Sequence, residues 1–263
     1  VQAHFLVACS LVSVAEHGPP EAAADVWAAA ARAFGKVDPA KLTDPADQKR
    51  YLFRMAKAVA ATGTGDPKAL FTALSNPPVG EDDGGERPRL LAEICLRIDP
   101  PDLKRARHEL TTYLSGPTRQ PPAAVAKLKL ALAQIHAKLN DPEGARKWLR
   151  DLGPSAGADV QAAATVQLGK LAAAEGNWAE AVKLFDAAQS APGLSADQRG
   201  PVRFQAGMGL LMMKNPTAAT PYFEQAAASP GPVAAAAAVR LAELEAKDPA
   251  AKGRRTKTVD RLE

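Results

Sequence analysis

The stretch GNWAEAVKLFDAAQ, residues 176–189, sets Trp178, Ala181, Phe185 and Ala188 at spacings of three, four and three. Those spacings place all four on one helix face, where a small residue admits a neighbouring helix and a large one fills the space beside it. One such stripe would be ordinary core, but this one recurs. Pro216, Ala219, Phe223 and Ala226 repeat it downstream; Pro142, Ala145, Leu149 and Leu152 lie upstream, and Leu103, Ala106, Leu110 and Tyr113 farther back. The first stripe reads Pro20, Ala23, Trp27 and Ala30, and a weaker copy with Pro67, Leu70 and Leu74 breaks at Pro77. An internal repeat constrains the fold more than any bulk property, because each unit buries its apolar face only by stacking on the next.

The surrounding residues fit helical hairpins. A breaker precedes each stripe (HGPP, TGTGDP, DPPD, NDP, EGN or KNP), and proline is tolerated in a first helical turn, where its missing N–H is no loss. Before each breaker stands another apolar, helix-competent segment, from AHFLVACSLVSVAE to VRFQAGMGLLMM. Alanine runs such as PVAAAAAV favour helix because alanine loses no side-chain entropy there. With no long β-branched alternation, the expected class is all-α. Gly169 and Gly207 hold matching places in two first helices, each seven residues before the end of its breaker-side loop residue, Gly176 or Lys214. Glycine in a helix interior costs about 1 kcal/mol relative to alanine, so a close helix crossing is the expected reason for both.

Leu168, Gly169, Gly176, Trp178, Ala181, Phe185, Ala188 and Pro192, followed by Ala206, Gly207, Ala219, Phe223, Ala226 and Pro230, give a chain that resembles the tetratricopeptide (TPR) repeat proteins. The resemblance implies an α-solenoid of about six helix–turn–helix hairpins with a C-terminal capping helix. The small position recurs at intervals of 47, 36, 39, 36 and 38 residues, longer than the family's repeat of about 34, which implies longer loops. The organisation is then hairpin 1 (1–34), a linker (35–47), a divergent hairpin 2 (48–77), an acidic Gly/Pro loop (78–87), hairpin 3 (88–115), hairpin 4 (122–153), hairpin 5 (158–192) and hairpin 6 (198–230). A capping helix (232–247) and a basic disordered tail (248–263) complete it. In the cap, Val233, Val239, Leu241 and Leu244 would face the last repeat, with Arg240, Glu243, Glu245 and Lys247 in water.

Nothing in the chain nominates a catalytic centre, a metal or a cofactor. His4, His17, His108 and His136 are scattered, and His136 falls inside an apolar helix, where a core or groove role is expected. No H-E-x-x-H, C-x-x-C or G-x-S-x-G occurs, ATGTGDPK lacks the G-K-[ST] ending of a phosphate loop, and residues 81–86 lack the spaced acids of a calcium loop. Cys9 and Cys95 lie on separate apolar stripes and read as buried free thiols. There is no 18-residue apolar run to cross a membrane. The formal charge of +4 is concentrated in the tail KGRRTKTVDR, which lacks interleaved aromatics; nucleic acid is not expected as a partner.

Residues 5–15, FLVACSLVSVA, end like a secretory signal but lack a positive segment before them, and their removal would strand the Trp27 helix. A cytoplasmic location is favoured, with export expected only if 5–15 is a signal remnant. The expected function is a non-catalytic protein-binding scaffold or adaptor that takes a partner peptide or helix in a concave groove, with no small-molecule substrate. By resemblance the first helices line that groove, which nominates Lys127, Leu130, Gln134, Lys138, Lys170, Phe204, Met208, Leu211 and Met212. The lysines favour an acidic partner, and the methionines would supply an adaptable apolar surface. Asn140, Asn177 and Asn215 fall in turns, so the Lys/Asn carboxylate clamp known in part of the family is not expected. The alternative is the regulatory or substrate-recruiting TPR region of a larger enzyme or secretion assembly, motivated by a chain that begins at valine.

Overall fold

The computed structural model describes residues 1–75, 85–117, 120–153 and 155–247. Most of the proposed acidic loop and all of the proposed basic tail lie outside the described residues. The described chain is all-α, with thirteen α-helices that pack as successive hairpins in two compact units, 1–120 and 121–263.

In the first unit α1 (Gln2–His17) pairs with α2 (Ala23–Phe34), α3 (Pro45–Thr62) meets α4 (Pro67–Ser75), and α5 (Arg87–Cys95) pairs with α6 (Leu103–Ser115). In the second, α7 (Pro122–Lys138) pairs with α8 (Pro142–Arg150), α9 (Ala158–Ala174) with α10 (Trp178–Gln189), and α11 (Ala196–Met212) with α12 (Pro216–Ala227). The last helix, α13 (Val233–Lys247), lies against α12 and α11.

The turns inside the hairpins of the second unit are three copies of one device. Asn140, Gly176 and Lys214 adopt the left-handed conformation, with φ of 58°, 78° and 56°. The next residue, Asp141, Asn177 or Asn215, donates its N–H back to His136, Ala172 or Leu210, each at 2.9 Å. That bond and one from the left-handed residue itself to the carbonyl three residues back cap the C-terminus of the first helix. The same Asp or Asn then begins the second helix: its side chain accepts from the N–H of Gly144, Glu180 or Ala218. One three-residue turn therefore satisfies the end of one helix and the start of the next.

The large/small stripes are the buried faces. Ala145, Ala181 and Ala219 are fully buried, as are Phe185 and Phe223 to within 1%. A methyl group added to Gly169 would approach the Phe185 ring to 2.7 Å, and one added to Gly207 would meet Phe223 at 3.0 Å. The glycines thus make room for phenylalanine at the crossing. In the α7/α8 hairpin the corresponding first-helix residue is Ala133 and the large residue is Leu149, both in one buried cluster, so a smaller partner leaves room for a Cβ.

The first stripe requires a correction of register. Ala23 and Trp27 are only partly buried, whereas Ala30 and Phe34 are fully buried and Val37 is 5% exposed. The stripe is Trp27–Ala30–Phe34–Val37, with the spacing of Trp178–Ala181–Phe185–Ala188. A short 3₁₀ turn, Pro20–Ala22, precedes α2, and the buried pattern begins seven residues, about two helical turns, later than expected.

The first unit also uses a different fastening. Arg54 donates to the Cys9 carbonyl at 2.6 Å, Arg87 donates to the Leu74 and Ser75 carbonyls, and Arg97 donates to the Ala60 carbonyl. Arg87 and Arg97 thereby satisfy carbonyls in the last turns of α4 and α3, which have no donor within their own helix, while Arg54 adds a bond to a carbonyl in the interior of α1. Cys9 and Cys95 are free and buried; burial pushes the Cys95 thiol up to about 12 and raises that of Cys9.

Candidate binding groove

The first helices of the three regular hairpins line a groove of about 420 Å³ within the second unit. Gln134 comes from α7; Ala163, Val166, Gln167 and Lys170 come from α9; Asp197, Gln198, Pro201, Val202 and Gln205 come from α11. Gln167 and Gln205 stand two residues before Gly169 and Gly207, so they hold equivalent places in consecutive helices. Gln134 and Lys170 are likewise equivalent, each one residue after the crossing position. The groove is therefore a repeat property: the crossing that fixes the core also fixes which side chains project from it.

Gln134, Lys170 and Gln205 are exposed, and Gln167 is half-buried. Gln198 is held at the start of α11, where its side-chain oxygen accepts from the Ser195 N–H at 3.0 Å in a capping box. Among the lining residues Lys170 and Asp197 carry opposite charges.

Of the nine residues expected in a groove, Gln134 and Lys170 line this one. Lys127 is exposed and stands 3.9 Å from Asp159, a weak surface pair. Lys138 is exposed near the end of α7. Leu130 packs against the cluster around Ala133 and Leu149. Phe204, Met208 and Leu211 are a correction: they pack against the cluster of Ala219, Phe223, Ala237 and Leu241 instead of standing in the groove. Phe204 meets Phe223 edge-to-face, with ring centres 5.5 Å apart. The physical cause is α13, which covers this face with Ala237 and Leu241. Val239, expected to face the last repeat, is 57% exposed. Met212 is 54% exposed but does not line this groove.

The glutamines Gln167, Gln198 and Gln205 escaped the sequence reading because polar residues on a first helix look like a wet face. For Gln167 and Gln205, recurrence two residues before Gly169 and Gly207 was the available signal. His136 sits behind the α7/α8 turn. Its Nδ1 lies 2.8 Å from Asp141 Oδ2, and a carboxylate can only accept, so Nδ1 carries the proton. The other ring nitrogen, Nε2, is buried without a partner.

A second concavity, about 840 Å³, lies within the first unit and is lined by Glu16, Trp27, Lys57, Glu86, Arg89 and Arg97 among others. Lys57 and Arg89 are already matched by carboxylates. Lys57 pairs with Glu16 at 2.6 Å, and Arg89 bridges Glu86 and Glu93 at 2.5 Å each. Burial by itself would raise the Glu86 carboxyl, but hydrogen bonds from Gln120 and Arg89, the Arg89 charge and the Tyr113 hydroxyl outweigh it and hold the group below its ordinary value. Burial, reinforced by Glu86, pushes the Tyr113 hydroxyl up to about 12. This network joins α5 to α6 and Gln120, which is a structural task.

Among the described residues no cluster of His, Cys, Asp or Glu could hold a metal ion, and no helix is long and apolar enough to cross a membrane. Hairpins stacked in sequence with a groove on their first helices define an all-helical repeat protein of the α-solenoid class. No family model matches the sequence, and no curated protein does. The fold is similar to the crystal structure of BtubC (BKLC) from P. vanneervenii, with a TM-score of 0.52 and 16% identity over 89% of this chain and 91% of that one.

Proposed function

We propose that this is a TPR-like, non-catalytic scaffold that binds a segment of a partner protein in the groove of α7, α9 and α11. The observation that carries the reading is the groove itself, where equivalent positions of consecutive hairpins present hydrogen-bonding amides over an apolar floor. Repeat proteins use such surfaces because each added hairpin extends the same face. The similarity to BtubC supports the fold on which this rests. No metal or cofactor enters the reading, and no side-chain constellation in the groove pairs a nucleophile with a base.

The test is site-specific photo-crosslinking in extracts of the source cells. A photoreactive residue replacing Gln167 should capture a partner protein, and the same residue replacing the exposed Lys183 of α10 should not. Capture from position 183 but not from 167 would place the working surface on the second helices and overturn the reading.

A further inference from the structure

We propose that the groove of the second unit holds its partner as an extended chain and reads that chain through its peptide groups, favouring uncharged segments with small side chains. This rests on the docking role proposed above and specifies what docks.

Gln134, Gln167 and Gln205 all line the groove, and none makes a hydrogen bond among the described residues. Each primary amide offers two donors and an acceptor, the complement of a peptide N–H and C=O. An extended segment has peptide groups free to engage them. A docked helix has its own peptide groups bonded internally, so it would cover these amides without satisfying them.

A second observation is independent of the glutamines. Pro201 lies inside α11 and on the groove wall. Having no N–H, it leaves the carbonyl of Asp197, one helical turn earlier, without its helical donor. Asp197 also lines the groove. Pro201 also adds an apolar ring to the wall, which like the floor suits uncharged groups.

The electrostatics and the floor narrow the side chains. Lys170 and Asp197 oppose each other in sign, so the lining carries no net charge to attract an acidic segment. That departs from the acidic partner expected from lysine content, because Lys127 stands against Asp159 and neither Lys127 nor Lys138 lines the groove. Ala163, Val166, Leu194 and Val202 form an apolar floor, which fits alanine- or valine-sized groups between the hydrogen-bonded points.

The probe is a displayed library of random linear peptides selected on the intact chain. An enriched peptide is then remade with single backbone N-methyl groups. N-methylation at successive alternate positions should weaken binding about three- to ten-fold each. That sensitivity should disappear in the Gln134→Leu/Gln167→Leu/Gln205→Leu variant, whose melting temperature controls for folding. Three outcomes overturn the inference while docking in the groove stands: binding lost in the variant but indifferent to N-methylation, binding tightened by a helix-stabilising staple, or enrichment dominated by Asp and Glu. Enriched peptides that bind the triple variant equally well would remove the groove itself as the docking site. An absence of any enriched peptide would do the same.

Discussion

The second unit is held by one turn used three times and by interlocking of small and large residues; the first unit has neither in full. Its hairpins are joined by a 3₁₀ approach before α2, a loop through Gly63 and Asp66 before α4, and a longer connection ending at Asp102 before α6. Where the connections differ, arginines add bonds to carbonyls of other helices, at the C-terminal turns of α3 and α4 and inside α1. At α3 and α4 such bonds help meet the requirement that main-chain groups at helix ends be hydrogen-bonded, which the second unit meets with its repeated turn. Only the regular solution places equivalent side chains at equivalent positions, and the amide groove appears in that unit.

The largest effect that would test this contrast is removal of a ring from the interlock. Phe185→Ala should cost about 3–5 kcal/mol. Chemical denaturation followed at Trp148 and Trp178 should show it, with Trp27 reporting the first unit separately. Next, Gly169→Ala should cost about 1–3 kcal/mol by overpacking against Phe185. Combined with Phe185→Leu, which recreates the Ala133/Leu149 pairing of α7 and α8, it should cost less than the sum, with a coupling of about 1 kcal/mol. Additive costs would mean that the crossing does not depend on this complementarity.

The stitching of the first unit should respond differently. Arg87→Met leaves the Leu74 and Ser75 carbonyls without their guanidinium donor and should cost about 1–3 kcal/mol. Acid should also single out this unit. The Glu86 carboxyl is held below its ordinary value, so it binds a proton more weakly folded than unfolded. Its contribution is complete above the unfolded value and declines as pH falls from there through the folded value. An acid titration of Trp27 fluorescence should show that loss below about pH 4.5, the ordinary value, and Glu86→Gln should flatten it. The smallest effect should be a gain. Lys214 holds φ of 56° in the position where the α9/α10 turn has glycine, so Lys214→Gly should stabilise by up to about 1 kcal/mol in the same denaturation assay.

The helical hairpins were legible because burial of a large/small stripe is a local, periodic demand that leaves its mark in every copy. Register failed at α2, where Trp27 was the first large residue met and the fully buried Phe34 came about two turns later. Phe204, Met208 and Leu211 were misplaced for a non-local reason: what covers a helix face depends on which element follows, and α13 rotates Val239 outward while turning Ala237 and Leu241 in. The groove was only half legible. Lysines attract attention by their charge, whereas glutamines on a first helix read as solvent-facing until the stacking brings three helices' worth of them together.

The identical turns at Gly176 and Lys214 have a practical corollary. Residues 177–214 begin just after one left-handed turn residue and end on the next, so the segment starts and finishes at the same backbone geometry. It is a cassette: a tandem copy inserted after Lys214 would join through a turn the chain already uses, with its glycine, alanine and phenylalanine in phase with their neighbours. Lengthening the protein by one such cassette would extend the glutamine row by a rung, converting a question about recognition into one about ruler length.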